Sequence, residues 1–230
     1  MDKYLAALDR SPVSEKVYNA ILAELINNNI APGERLREES IAALLNVSRT
    51  PVREALQRLS CDGLVEFRPH RGAFARKISS DDIVELYDIR RCLEVHAAVE
   101  AIARIPASHA RVVDDLIVSC RAADGTEFIE RELAFDREIH ATIGAWCGNS
   151  RLCGLLENMH NLARFMRIVH FDRAELAREN FTEHEAIWDA MKCGDRDRMT
   201  TLLERHLDNR RDRLLEHFNR LHADKEDLPA

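Results

Sequence analysis

After Asp82 this chain of 230 residues carries no stretch that alternates apolar and polar side chains, the pattern a half-buried strand needs. Six segments of helical period follow one another instead, near 82–104, 107–123, 126–147, 150–171, 174–193 and 196–221. Pro106, Gly125, Gly148-Asn149 and Gly194-Asp195 punctuate them, as residues that stop helices do. An all-helical bundle accounts for this pattern, and it excludes a sandwich, a barrel or a parallel sheet over most of the chain. The tail from Ala223 to Ala230 reads as frayed.

The first third reads differently. Val17, Ile21, Leu22, Leu25 and Ile26 predict a helix from Ser14 to Asn29, ended by the asparagine run and Pro32-Gly33. A short helix, Glu38 to Leu45, is expected to turn Ile41, Leu44 and Leu45 inward. After Asn46-Val47-Ser48, a third helix from Arg49 to Asp62 carries Val52, Ala55, Leu56 and Leu59 on its apolar face. Ser48 can cap it, Pro51 sits harmlessly in its first turn, and Gly63 stops it. Leu64–Arg68 and Ala73–Ile78 alternate across the turn Pro69-His70-Arg71-Gly72, which predicts a hairpin. Ser79–Asp82 serves as linker and helix cap together.

Three helices followed by a hairpin is the winged helix-turn-helix pattern. The expected fold is therefore mostly α. A winged helix-turn-helix spans 1–78, and an all-helical effector- or metal-binding domain spans 79–230.

Charge supports this division. The chain carries a net −7, yet residues 1–77 hold 12 Lys/Arg against 10 Asp/Glu. Residues 45–77 hold seven basic groups against three acidic ones. An acidic whole argues against a protein that coats nucleic acid, while a basic module on it permits a local phosphate-binding face. The N-terminus lacks the basic start and apolar stretch of a secretory signal, and no apolar run approaches membrane length. The six cysteines form no CxxC pair, so they are expected as reduced thiols in a cytoplasmic protein.

On a recognition helix the N-terminal residues reach the bases, which here are Ser48, Arg49, Thr50 and Arg53. Arg49 and Arg53, four apart, share one face, and Arg suits bidentate contact with guanine O6 and N7. Ser48 and Thr50 suit phosphate oxygens, and the tip His70-Arg71-Gly72 can reach the backbone or a minor groove. The alternative is that both arginines simply solvate a helix face.

The helical part holds a second constellation. Asp136 and His140 are four apart and share a helix face, while His184 and His206 fall on the fifth and sixth bundle helices. Three imidazoles and a carboxylate converging inside a bundle suit zinc or nickel, or iron or manganese in looser geometry. A small carboxylate effector would fill the remaining coordination positions. The same spacing also arises as an ordinary surface or capping pair.

The stretch Pro32-Gly33-Glu34-Arg35-Leu36, the run Val47-Ser48-Arg49-Thr50-Pro51-Val52-Arg53-Glu54-Ala55-Leu56, Leu59 and Asp62-Gly63-Leu64-Val65 resemble the GntR family of bacterial transcription regulators. That resemblance implies that Arg49 and Arg53 read bases, that Ser48 and Thr50 hold phosphate, and that the wing at His70–Gly72 assists. Many relatives carry a further Arg early in the second helix, where this chain has Glu39. Leu86–Arg90 with Leu93-Glu94, Phe135-Asp136 with His140, Gly148-Asn149, Glu183-His184 with Ile187, Gly194-Asp195 and His206-Leu207 resemble the FCD domain of the FadR subgroup. Six helices resemble its shorter, VanR-like branch. The resemblance implies metal ligation by Asp136, His140, His184 and His206.

Arg90, matching the arginine of that domain's first helix, either clamps an organic acid near the metal or pairs with Glu94. The expected protein is a homodimer on a double-stranded palindromic operator, controlled by a small organic acid, with repression as the expected sign. It is not expected to be an enzyme. The rival is a metal-dependent hydrolase with an appended nucleic-acid module. Glu138 and Glu183 neighbour the ligands in sequence, but neither makes a convincing general base.

Overall fold

A computed structural model describes residues 12–166 and 173–226. His170, the expected continuation of the fourth bundle helix past Met166, and residues 227–230 lie outside them. The described residues cluster into two compact units, 12–78 and 79–226, except that 164–166 cluster with the first.

The first unit opens with α1 (Val13–Ile26), β1 (Arg35–Leu36), α2 (Glu38–Leu45) and α3 (Arg49–Cys61). It closes with β2 (Val65–Arg68) and β3 (Gly72–Ala75). α1 stops at Ile26, short of the expected Asn29, and Asn28 takes the left-handed conformation at φ 61°. Helix α3 buries Val52, Ala55, Leu56 and Leu59, the four positions its spacing marks, and packs them on α1.

Three expectations change here. Arg35–Leu36, with no alternation to reveal it, forms an edge strand antiparallel to β3, so the sheet has three strands in the order β1-β3-β2. The second hairpin strand ends at Ala75, short of the expected Ile78, and its last in-register bond to the first strand's side is Arg76 N–H to Leu64 O at 2.9 Å. Leu44 is 83% exposed and not inward, because Ala42 is the residue of α2 that the unit buries.

The second unit holds α4 (Ser80–Ala101), α5 (Ala107–Arg121), α6 (Gly125–Trp146), α7 (Ser150–Met166), α8 (Arg173–Lys192) and α9 (Arg196–Glu226). Local signals set their ends. Ser79 and Asp82 form a reciprocal capping box that starts α4, satisfying two otherwise orphaned amides. Asn149 Oδ1 accepts from the backbone of Arg151 and Leu152 and caps α7. α9 runs on to Glu226, further than the expected 221.

Helix α6 packs against α4, α5 and α8, and α9 packs against α4 and α8. Phe135, Ile139, Ile143, Trp188, Leu203 and Leu207 fill the interior. Among the described residues no helix is long and apolar enough to cross a membrane.

Candidate functional site

Helix α3 begins where α2 ends, across Asn46 at φ 52°. That turn sets the N-termini of both helices side by side. Ser48 occupies the cap position in extended conformation, but its hydroxyl makes no capping bond. Thr50 and Ser48 are exposed, as are His70, Arg71 and Gly72 at the wing tip. The tip is shaped by His70 at φ 58° and Gly72 at φ 91°, and glycine takes the latter without strain.

Arg49 and Arg53 are not plain solvated cations. Arg53 Nε and Nη2 donate to Glu38 Oε1 and Oε2 at 3.2 and 3.0 Å. Arg49 Nη2 lies 3.3 Å from Glu38 Oε2 and 2.9 Å from Glu39 Oε1. The hydrogen bond from Arg53, aided by Arg49, holds Glu38 below its ordinary pKa. Sequence reading missed Glu38, and it placed Glu39 only as the residue standing where relatives carry Arg.

Inside the second unit, Asp136 and His140 lie on one face of α6, and His184 and His206 approach from α8 and α9. All four are buried. His184 Nε2 stands 3.1 Å from His206 Nε2 and 3.6 Å from Asp136 Oδ1. One nitrogen of each of His140, His184 and His206 lies within 4.8 Å of the other two. The structure thus brings together the four residues singled out in the sequence.

A surrounding layer was not legible beforehand. His206 Nδ1 meets Glu183 Oε2 at 2.7 Å, and Asn209 Nδ2 donates to Glu183 Oε1 at 2.8 Å. His140 Nδ1 stands 2.8 Å from Glu94 Oε2, and His160 Nε2 stands 3.1 Å from Glu94 Oε1. Both sit at ion-pair distance without hydrogen-bond alignment. Arg210 Nη2 lies 3.4 Å from Asp136 Oδ1. Glu132, one turn before Asp136, joins Asp136 and His184 in a further buried group. Each of these comes from a different helix or a different turn, so only the folded bundle assembles them.

Arg90 makes the pairing with Glu94. It is buried, and its Nε donates to Glu94 Oε1 at 2.6 Å. Burial alone would raise Glu94, but Arg90, His160 and His140 outweigh it and hold the carboxyl well below the usual carboxylate range.

Burial pushes His184 well below the ordinary imidazole pKa, with His206 adding to the push. Burial, then Arg210, does the same to His206. His160 falls to about 4, again chiefly by burial. His184 and His206 are therefore neutral, the form that binds metal.

The donor set fits a divalent ion on three counts. The nitrogens of His184 and His206 belong to neutral imidazoles beside a carboxylate. Ligand nitrogens bonded at about 2.0–2.1 Å stand about 2.9–3.4 Å apart, which brackets the His184–His206 spacing. Three buried carboxylates, Glu94, Glu132 and Asp136, gather there with the buried guanidiniums of Arg90 and Arg210, so carboxylate oxygens stand beside the imidazole nitrogens.

Among the described residues, neither carboxylate weighed as a hydrolytic base stands open in the cluster. Glu183 is engaged by His206 and Asn209, and Glu138 sits 3.4 Å from His109, outside the cluster.

A winged helix-turn-helix unit and an all-helical bundle in one chain define a class, the DNA-binding regulators with a second, helical domain. Residues 13–75 match the bacterial regulatory proteins of the gntR family, and residues 85–209 match the FCD domain. This chain belongs to the GntR family of transcriptional regulators, with an FCD domain.

It is similar to the HTH-type transcriptional repressor RspR of Escherichia coli K12, 26% identical over 85% of this chain and 86% of the relative. It is also similar to the Nta operon transcriptional regulator of Aminobacter aminovorans, 28% identical over 83% of this chain and 89% of that one. Its fold matches the crystal structure of a GntR transcriptional regulator from Rhodococcus sp. RHA1, with a TM-score of 0.75 and 28% identity over 88% of this chain and 97% of that one. These relatives are transcriptional regulators and not enzymes, which disfavours the hydrolase rival.

Proposed function

We propose that this chain is an operator-binding repressor, released or engaged by a small carboxylate that binds at a divalent metal in the helical domain. The domains of the proposal are 1–78 and 79–230. The buried convergence of Asp136, His140, His184 and His206 carries this reading. Zinc or nickel suits the donor set best, with iron or manganese as looser fits. A divalent ion there supplies a fixed positive charge for an organic anion.

The chain's own residues do the rest. Glu183 holds His206 by its Nδ1, so that Nε2 faces the ligand cluster. Glu94 stands against Nδ1 of His140, and Arg90 braces Glu94. Arg90 thus serves the effector site through Glu94, while Arg210, beside Asp136, adds buried positive charge next to the anion position. In the first domain Arg49 and Arg53 read bases, Ser48 and Thr50 hold phosphate, and His70, Arg71 and Gly72 form the wing contact.

Repression is the role named for the Escherichia coli relative, and we carry it to this chain as part of the proposal. Homodimerisation on a palindromic operator and a cytoplasmic setting complete it. Six helices in the described part of the second unit support the VanR-like branch.

Elemental analysis of purified wild type and His184→Ala tests the metal. About one divalent ion per wild-type chain, lost in the variant, is expected. Full occupancy in the variant contradicts the ligand assignment. A thermal-shift screen of sugar acids, hydroxy acids and dicarboxylates on the metal-loaded protein then finds the effector class.

A further inference from the structure

Glu38 is placed where a residue would stand that aims the two base-reading arginines. It lies one helix away from them in sequence, yet its side chain is only 18% exposed, while those of Arg49 and Arg53 are 54% and 56% exposed. The carboxylate is thus the fixed partner and the guanidiniums are the outward ones.

The contact geometry is specific. Arg53 presents its side edge to Glu38, Nε to Oε1 at 3.2 Å and Nη2 to Oε2 at 3.0 Å. A guanidinium has five N–H donors in a rigid fork. Two of Arg53's are engaged by this side-on pairing. The end-on pair, one N–H from each Nη, points along the side-chain axis and matches O6 and N7 of a guanine. The same carboxylate meets Nη2 of Arg49 at 3.3 Å, so one anion spans both arginines.

We infer that Glu38 is a specificity-determining positioning residue, which holds Arg53 by its side edge, tethers Arg49 through Nη2, and so orients the free edge of Arg53 toward guanine before DNA arrives. The inference rests on the DNA-reading role given above to Arg49 and Arg53, and it adds how that role is made selective.

The physical consequence is a split between two kinds of affinity. Long exposed arginines bind any phosphate well, because Coulomb attraction needs no orientation. Discrimination between bases needs a pre-oriented fork, because ordering a loose side chain at the interface costs free energy. A carboxylate on the binding face also repels phosphate, so it weakens non-specific binding. Removing Glu38 should lower selectivity while sparing or strengthening unselective binding.

The test uses the full-length protein and two duplexes. One is enriched by wild type from a random pool; the other is its scrambled sequence. Glu38→Gln keeps the side-chain shape and removes the charge. Its affinity for the selected duplex is expected to fall about tenfold, while that for the scrambled duplex stays constant or rises. Single-base substitutions in the selected duplex should show the loss at the same positions that Arg53→Ala or Arg49→Ala flattens. Glu38→Asp, which keeps the charge but shortens the arm, is read the same way if the glutamine variant does not fold.

Unchanged discrimination overturns the inference. So does a uniform change on both duplexes in either direction, because that marks charge masking or general damage and not orientation. A wild type that enriches no sequence defeats the DNA-reading assignment itself, before any variant is made.

Discussion

At the level of single residues, one arginine and one aspartate carry separate expectations. Arg53→Ala is expected to cost about 1–3 kcal/mol at the operator by gel-shift titration, the usual worth of a bidentate base contact. Asp114 of α5 ties down α8. It accepts from the Trp188 indole at 2.8 Å and from Lys192 at 2.7 Å. Trp188 is almost fully buried, so Asp114→Ala leaves its N–H without this acceptor and is expected to cost about 1–3 kcal/mol in chemical denaturation.

The pH dependence follows in sign. Burial would raise Asp114, but the bonds from Lys192 and Trp188 outweigh it and lower its pKa. Its contribution is therefore present above the unfolded-state value of about 4 and is lost as pH falls through the lower folded value. The stability gap between wild type and Asp114→Ala should shrink on acidification below that point. Because Asp114 is partly exposed, solvent screening keeps the electrostatic part small.

Residue identity was readable where spacing within one helix placed it, as with Asp136 and His140. It was not readable for Glu94, Glu183, His160 and Arg210 as a surrounding layer. Their partners lie 23 to 74 positions away on another helix, and no periodicity links them. Arg90 shows the same boundary from the other side. The i,i+4 spacing to Glu94 was visible, but the full burial of the pair was not.

At the level of elements, the ends are set locally and the faces by packing. The capping box at Ser79 and Asp82 starts α4, the helix that carries Arg90 and Glu94 into the site. Ser79→Ala should lower the stability of the protein by about 1 kcal/mol, read as a shift in denaturation midpoint with an unchanged slope. Ser79→Asp, another good cap, should restore most of it.

The α3 face was legible because four apolar residues at helical spacing meet α1. The β1 edge strand was not, since two residues carry no period and only β3 makes them a strand. Leu44 was misplaced because a two-turn helix has room for one well-buried position, and Ala42 takes it.

At the level of the whole molecule, the account joins a cationic helix start in one unit to a buried ligand cluster in the other. A ligand can shift an equilibrium between two states only by its differential affinity for them, so metal and effector must each bind one DNA-binding state better. Metal is expected to stabilise the protein. At a concentration about 100 times its dissociation constant it should add about 2.7 kcal/mol, seen as a melting transition that chelator lowers and added zinc or nickel restores.

The decisive measurement is the affinity of the full-length, metal-loaded protein for its selected duplex, with and without the acid that shifts its melting most. Coupling of this kind is expected to change affinity about 5- to 150-fold in wild type and to vanish in His184→Ala. Equal affinities for wild type in both conditions would contradict the account.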